Sequence, residues 1–193
     1  MNLYILGATG SIGDQTLDIV RNSHKFNVVS VSANHNINKM IEIIKEFNPL
    51  FVSMGKIEYI NKLKGIYPNV EYGYGKEGLI KAATYGENSE DLVVNALVGS
   101  SGLEPTVEAI KKKRNIALAN KETLVIGGEI INALVKKHGV VLIPVDSEHS
   151  AILQCLNGED SSSIKRIIIT ASGGSFRNLS RSELQTVTVK DAL

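Results

Sequence analysis

Along the chain, short β-branched apolar runs alternate with longer stretches in which apolar residues recur at helical spacing. The runs are Asn2 to Leu6, Val28 to Ala33, Leu50 to Met54, Leu92 to Leu97, Asn115 to Ala119, Val140 to Val145 and Lys165 to Thr170. Being short and nearly continuous in apolar content, they read as strands buried on both faces. Between them the period predicts helices over Ser11 to Asn22, with Ile12, Thr16, Ile19 and Val20 on one face, and over Ile37 to Phe47, Glu104 to Lys113 and Thr123 to Lys137. Alternation of this kind builds βαβ units with right-handed crossovers, so the expected fold class is α/β, a doubly wound and mostly parallel sheet covered by helices. The polar segment Asn157 to Ser163, NGEDSSS, has no period and reads as a surface loop near a boundary. After it come one expected strand and a polar tail, too little for a second domain.

The turn after the first strand carries the clearest chemistry. Gly7-Ala8-Thr9-Gly10-Ser11-Ile12-Gly13 follows an apolar run and opens a helix. Small residues there let the backbone turn sharply and approach a pyrophosphate, whose charge meets free N–H groups at the helix N-terminus. The spacing G-x-x-G-x-x-G is a variant of the dinucleotide fingerprint; the alternative is a tight turn that binds nothing. This makes the sheet a Rossmann-type one. The second strand ends in Ala33-Asn34-His35-Asn36, without the carboxylate that would hold ribose hydroxyls and repel a 2'-phosphate. Donors at Asn34, His35 and Asn36 favour NADP over NAD, although His35 reads equally well as an exposed loop residue.

Composition narrows the partners. Lys and Arg number 21 against 20 Asp and Glu, a net charge of +1, and only 5% of residues are aromatic, so nucleic acid is a poor expectation. No apolar stretch approaches the roughly 20 residues that span a bilayer, and no signal peptide is evident. The single cysteine, Cys155, excludes an intrachain disulfide and fits a reducing cytoplasm. It lies in a segment, Ala151 to Leu156, that reads as an amphipathic helix, where a thiol is expected to be a small buried hydrophobe. A role as nucleophile of a semialdehyde-type dehydrogenase is the alternative. Tyr72 and Lys76 have the Y-x-x-x-K spacing of a reductase pair, but two glycines among five residues argue against the shared helix it needs. The basic run Lys111 to Arg114 reads as a solvated helix terminus.

Three strand ends carry further candidates. Pro144-Val145-Asp146-Ser147-Glu148-His149 sets two carboxylates at i and i+2 where a strand gives way to a helix, suited either to one hard cation or to capping the helix. Ala119-Asn120-Lys121-Glu122 ends another strand, and Lys121 there is either a cation for an anionic ligand or a solvated lysine paired with an acid. Ser172-Gly173-Gly174-Ser175 has the small residues of an anion nest or of a plain turn.

Taken in order, GATGSIG, ANKET, PVDSEH and TASGGSF closely resemble the N-terminal half of the 1-deoxy-D-xylulose 5-phosphate reductoisomerase family, from Met1 to Leu193. The resemblance implies an NADPH-dependent enzyme using Mg2+ or Mn2+, with Co2+ also possible. Such an enzyme rearranges a phosphorylated ketose and reduces the aldehyde formed to 2-C-methyl-D-erythritol 4-phosphate, in non-mevalonate isoprenoid biosynthesis. Carried over by position, Gly7, Thr9, Gly10, Ser11 and Ile12, with Gly13 closing the loop, hold the cofactor phosphates, and Asn34, His35 and Asn36 face its ribose phosphate. Asn120 and Glu122 match cofactor contacts. Lys121 matches a substrate-binding lysine, Asp146 and Glu148 two metal ligands, and Ser147 and Ser172 substrate contacts, with Lys121, Asp146 and Glu148 taken as catalytic. The implied organisation is an NADPH-binding domain over 1–147 and the start of an α+β catalytic domain over 148–193, cytoplasmic and homodimeric in the full-length protein. The family continues about as far again, so these residues are expected to bind NADPH without turning over. A non-catalytic NADP-binding sensor is the alternative from another class.

Overall fold

The computed structural model describes residues 1–23, 25–87, 89, 91–169 and 174–192. It divides into two compact units, Met1–Leu153 and Gln154–Leu193. In the first unit the chain runs β1 (Asn2–Leu6), α1 (Ser11–Arg21), β2 (Asn27–Ala33), α2 (Ile37–Phe47), β3 (Phe51–Met54), α3 (Ile57–Ile66), β4 (Glu71–Tyr74) and α4 (Gly75–Thr84). It continues through β5 (Leu92–Asn95), a 3-10 turn (Gly99–Gly102), α5 (Leu103–Lys111), β6 (Asn115–Leu118), α6 (Glu122–His138), β7 (Leu142–Pro144) and α7 (Ser147–Leu156), which runs on into the second unit.

All seven strands are parallel, in the order β4-β3-β2-β1-β5-β6-β7. The chain therefore winds outward from β1 in one direction and then resumes on its other side. Side chains alternate across the sheet as a strand requires. Leu3, Ile5, Val52 and Met54 pack under Leu17, Met40, Ile44, Ile60 and Leu63 of α1 to α3. Tyr4, Leu6, Val93, Ile116 and Leu118 pack on the opposite face under Ala82, Ala109, Ile110 and Ile131 of α4 to α6. At roughly 1.5–3 kcal/mol for each large side chain taken from water, these two layers are the main source of stability in the unit.

Register decides where function can sit. Leu6 pairs with Ser32 on one side and Asn95 on the other, Asn95 with Leu118, and Leu118 with Pro144. The row Ser32, Leu6, Asn95, Leu118, Pro144 thus marks one carboxyl edge, and the glycine loop, Asn34–Asn36, Asn120–Glu122 and Asp146–Glu148 all leave the sheet within a few residues of it.

Several expectations need correction. Residues 165–169 form no strand; Ile167, Ile168 and Ile169 are 55%, 70% and 67% exposed, and no sheet neighbour satisfies their apolar pattern. The segment Val140 to Val145 is an edge strand of three residues, with Val141, Ile143 and Val145 exposed rather than covered on both faces. On α1 the buried positions are Gly13 and Leu17, and Ile19 points outward. Cys155 is exposed, because α7 buries none of its residues. Arg114 ends the basic run but is fully buried. Its guanidinium stacks on the Tyr4 ring at 3.8 Å and donates to the Ala83 carbonyl at 2.8 Å. Burial lowers the Arg114 pKa, against the raising influence of Tyr4 and Asp91, and burial likewise pushes the Tyr4 hydroxyl up to about 12. Absent from the sequence expectations altogether are α3, β4 and α4. Tyr72 falls in β4 and Lys76 in α4, so the Y-x-x-x-K pair shares no helix.

Candidate functional site

The glycine loop is held by the neighbouring strand. Gly7 and Ala8 donate their N–H groups to the Ser32 carbonyl at 3.1 and 2.8 Å, and Gly10 N–H closes the turn onto the Gly7 carbonyl at 3.0 Å. Gly7 has φ +84°, the left-handed region open to glycine, and a Cβ there would lie 2.7 Å from the Ala96 carbonyl oxygen. Gly13 is tighter still, since its Cβ would come within 2.3 Å of the Gly7 oxygen. This close approach seats α1 against the loop, with Gly10 in the N-cap position and no side chain capping it. The first intrahelical bond is Asp14 N–H to Gly10 O. The amides of Ser11, Ile12 and Gly13 accordingly precede the helix's own acceptors and carry its positive end, the arrangement that receives a phosphate.

Asn34, His35 and Asn36 follow β2 as exposed residues. The Asn36 side-chain oxygen Oδ1 accepts from Lys39 N–H at 3.2 Å and caps α2, which leaves its NH2 group as the available donor. Beside them, at the carboxyl ends of β2, β3 and β5, opens a cleft of about 520 Å3 lined by Asn34, Gly55, Lys76, Val98, Ser100 and Ser101 among others. Its serine-rich wall, Gly99–Gly102, was not among the sequence candidates. The signal available was the run Val98-Gly99-Ser100-Ser101-Gly102 directly after an apolar strand.

Asn120 is 1% exposed and its side chain is engaged within the protein. It donates to the Gly99 carbonyl at 3.0 Å and to Glu122 Oε2 at 2.9 Å, and accepts from the Thr123 hydroxyl. Both amide protons are thereby used, so this asparagine orients the residues on either side of it.

Lys121 reaches across to the next strand end, with Nζ 3.1 Å from Asp146 Oδ2. Asp146 stands at the start of α7, where its carbonyl accepts from Ser150 N–H. Its other carboxylate oxygen, Oδ1, is buried without a hydrogen-bond partner, although His149 Nδ1 lies 3.2 Å away. Burial raises the Asp146 pKa, but the Lys121 hydrogen bond, with Glu148 and the charges of Lys121 and His149, outweighs it and holds the carboxyl below its usual value. Lys121 in turn is raised by its hydrogen bond to Asp146 and by the charges of Asp146 and Glu148. Leu118, Leu124, Leu142 and Pro144 wall a small pocket of about 210 Å3 beside Lys121, Asp146 and His149. Glu148 and Ser147 are exposed on the first turn of α7. Ser172 and Gly173 lie outside the described residues.

An orphaned, buried carboxylate oxygen beside a second, exposed carboxylate fits two ligands of a hard divalent cation. Among the described residues no group of three or more His, Cys, Asp or Glu is placed to hold a metal, so the rest of such a shell is left to water, substrate or other residues.

Comparison with known proteins gives one consistent result. The family model described as 1-deoxy-D-xylulose 5-phosphate reductoisomerase matches residues 3–128, and the model for the C-terminal domain of the same family matches residues 142–193. The chain is 54% identical over 193 residues to the reductoisomerase of Bacillus subtilis and 50% identical over 199 residues to that of Clostridium acetobutylicum. It spans about half the length of these curated relatives, 50% and 51%. Among solved structures, the Zymomonas mobilis reductoisomerase in complex with NADPH superposes with a TM-score of 0.82 at 40% identity, over 99% of this chain and 50% of that one. A reductoisomerase in complex with NADPH, fosmidomycin and magnesium gives 0.81 at 35% identity, over 100% and 50%.

Proposed function

The chain belongs to the 1-deoxy-D-xylulose 5-phosphate reductoisomerase family, and we propose that it carries the NADPH site and part of the metal and substrate site of that enzyme. One observation supports the reading most strongly: register brings the glycine loop, Asn120–Glu122 and Asp146–Glu148 to the same carboxyl edge of one parallel sheet. Ligands of open α/β sheets collect at that edge, beside the strand where the winding reverses, which here is β1.

In this reading, the α1 N-terminus takes the pyrophosphate, and Asn34, His35 and the free amide of Asn36 meet the ribose 2'-phosphate. Lys121 supplies positive charge to a phosphorylated ketose, with Ser147 and Ser172 as further substrate contacts. Asp146 and Glu148 are the two carboxylates that hold Mg2+, Mn2+ or Co2+. When bound, the cofactor supplies hydride and the divalent ion supplies Lewis acidity for the skeletal rearrangement. The protein's part is to orient Asp146: Lys121 Nζ lies 3.1 Å from Oδ2, and the buried Oδ1, which has no hydrogen-bond partner, is left to a cation. We place the domain junction between residues 147 and 148, in the first turn of α7, and the working enzyme in the cytoplasm as a homodimer that rearranges the ketose phosphate and reduces the aldehyde formed to 2-C-methyl-D-erythritol 4-phosphate.

Calorimetric titration of these 193 residues with NADPH and with NADH tests the reading. NADPH is expected to bind more tightly, because nothing at the end of β2 repels its extra phosphate; equal affinities would refute the assignment of residues 34–36. Steady-state oxidation of NADPH with the ketose phosphate and Mg2+ is not expected from these residues alone.

A further inference from the structure

Asn95 ends β5 at the centre of the carboxyl edge and is fully buried. An asparagine there is costly unless each of its polar atoms is paired, and an apolar residue would fill a strand end more cheaply. Its partners all lie in one short segment. Nδ2 donates to the Gly102 carbonyl at 3.1 Å and to Thr106 Oγ1 at 2.8 Å, while Oδ1 accepts from Leu97 N–H at 3.2 Å. The Thr106 hydroxyl itself donates to the same Gly102 carbonyl at 2.7 Å. One side chain therefore grips both flanks of residues 97–102, the segment that supplies Leu97, Val98, Ser100 and Ser101 to the cleft wall.

The grip extends to the other half of the site. The Asn95 carbonyl accepts from Ala119 and Asn120 N–H at 3.0 and 3.2 Å, and the Asn120 amide holds the Gly99 carbonyl. Gly102 sits between the two asparagines, where a Cβ would lie 2.2 Å from Asn120 Oδ1 and 2.7 Å from Asn95 Nδ2. Both ends of the 3-10 turn are fastened through their carbonyls, Gly99 by Asn120 and Gly102 by Asn95. The exposed middle of the turn is left free to meet a ligand.

We propose that Asn95, acting with Thr106, is a positioning residue for the cofactor, fixing the Leu97–Gly102 wall of the cleft and tying it to the Asn120–Glu122 segment. This rests on the assignment of residues 34–36 to the cofactor and extends it to the cleft that Asn34 and the 97–101 segment line together. A wall already in its bound shape spares the ligand the cost of ordering it, so loosening the wall weakens binding without removing any contact group.

The test compares Asn95→Ala, Thr106→Val and Thr106→Ser with Leu63→Ala, a core truncation in α3 on the opposite face of the sheet. NADPH dissociation constants and amide hydrogen exchange are measured below each variant's melting temperature. Asn95→Ala is expected to weaken NADPH about tenfold, the worth of one to two hydrogen bonds, and to speed exchange at the amides of Leu97 to Gly102. Thr106→Val should act in the same direction and Thr106→Ser should restore wild-type binding, which keeps the test open should Asn95→Ala fold poorly. Leu63→Ala should lower the melting temperature with the affinity unchanged. The proposal is overturned if Asn95→Ala and Thr106→Val bind NADPH within about twofold of wild type, or if Leu63→Ala weakens it equally. A wild-type chain that does not bind NADPH would overturn the cofactor reading itself, and this proposal with it.

Discussion

The two halves of the carboxyl edge are built from different materials. The glycine loop is made of backbone: Gly7 and Gly13 leave no space for a Cβ, and the groups presented to a ligand are amides at the start of α1. The Lys121–Asp146 end is made of side chains, with a lysine 56% exposed and a carboxylate 12% exposed answering each other across adjacent strand ends. A backbone site is fixed by the fold and tolerates almost no change of shape. A side-chain site is fixed by charge, so it tolerates changes of shape and fails on changes of charge.

The largest effect expected from this contrast is at Gly13. Gly13→Ala drives a methyl to within 2.6 Å of Ala8 Cα and 2.3 Å of the Gly7 oxygen, both backbone atoms that can yield only if α1 moves away from the loop. Overpacking of this kind costs about 1–3 kcal/mol, and because the displaced groups are the phosphate-binding amides, NADPH affinity should fall by about 100-fold. Titration together with a thermal melt checks this. Wild-type affinity in Gly13→Ala would mean that the loop binds by some route other than its backbone.

At the other end the informative change conserves shape. Asp146→Asn keeps the side chain's size and removes the charge, so the melting temperature should stay within a few degrees while Mn2+ binding, followed by electron paramagnetic resonance, weakens at least about tenfold. A large loss of stability with little loss of Mn2+ binding would make Asp146 a structural partner of Lys121 and not a ligand.

Much of this contrast is legible in the sequence, and the reasons are physical. The glycine loop announces itself because its chemistry is its spacing, and β1, β2 and α2 have the unbroken periods that survive into the fold. The polar seam behind the loop does not announce itself. Asn95, Thr106 and Arg114 read as strand end, helix and basic run, and only tertiary partners such as Gly102 O, Ala83 O and the Tyr4 ring reveal them as buried. Helices α3 and α4 are less legible because glycines interrupt them: Gly65 near the end of α3, and two glycines among the first four residues of α4. Residues 165–169 are the opposite case: a short continuous apolar run forms a strand only where a neighbour supplies its hydrogen bonds.

A smaller effect separates shape from charge within the cofactor half. Asn36→Asp keeps an oxygen that can cap α2, so stability should hold, since asparagine and aspartate are equivalent N-caps. It also sets a carboxylate where the 2'-phosphate is expected, and the preference for NADPH over NADH should narrow by about tenfold, one unfavourable charge contact at a solvent-exposed site. Unchanged preference would move the 2'-phosphate away from the end of β2.

The smallest effect is expected at Gly10, and it is the sharpest check on the claim that the loop is constrained by approach and not by glycine content. Gly10 shares the motif with Gly7 and Gly13, yet its φ is −84°, which any residue adopts, and a Cβ there meets only the Gly7 oxygen at 3.3 Å. Gly10→Ala should therefore cost about 1 kcal/mol at most, the usual penalty of alanine at an N-cap, and leave α1 seated on the loop. Its effect on NADPH then isolates the one role left to Gly10, the clearance that lets a pyrophosphate approach the exposed amides of α1. If Gly10→Ala destabilises the protein as much as Gly13→Ala, the loop is rigid throughout and the two glycines are not distinguishable by approach. If it spares both stability and binding, the phosphate lies against Ser11 to Gly13 without crossing the Gly10 position.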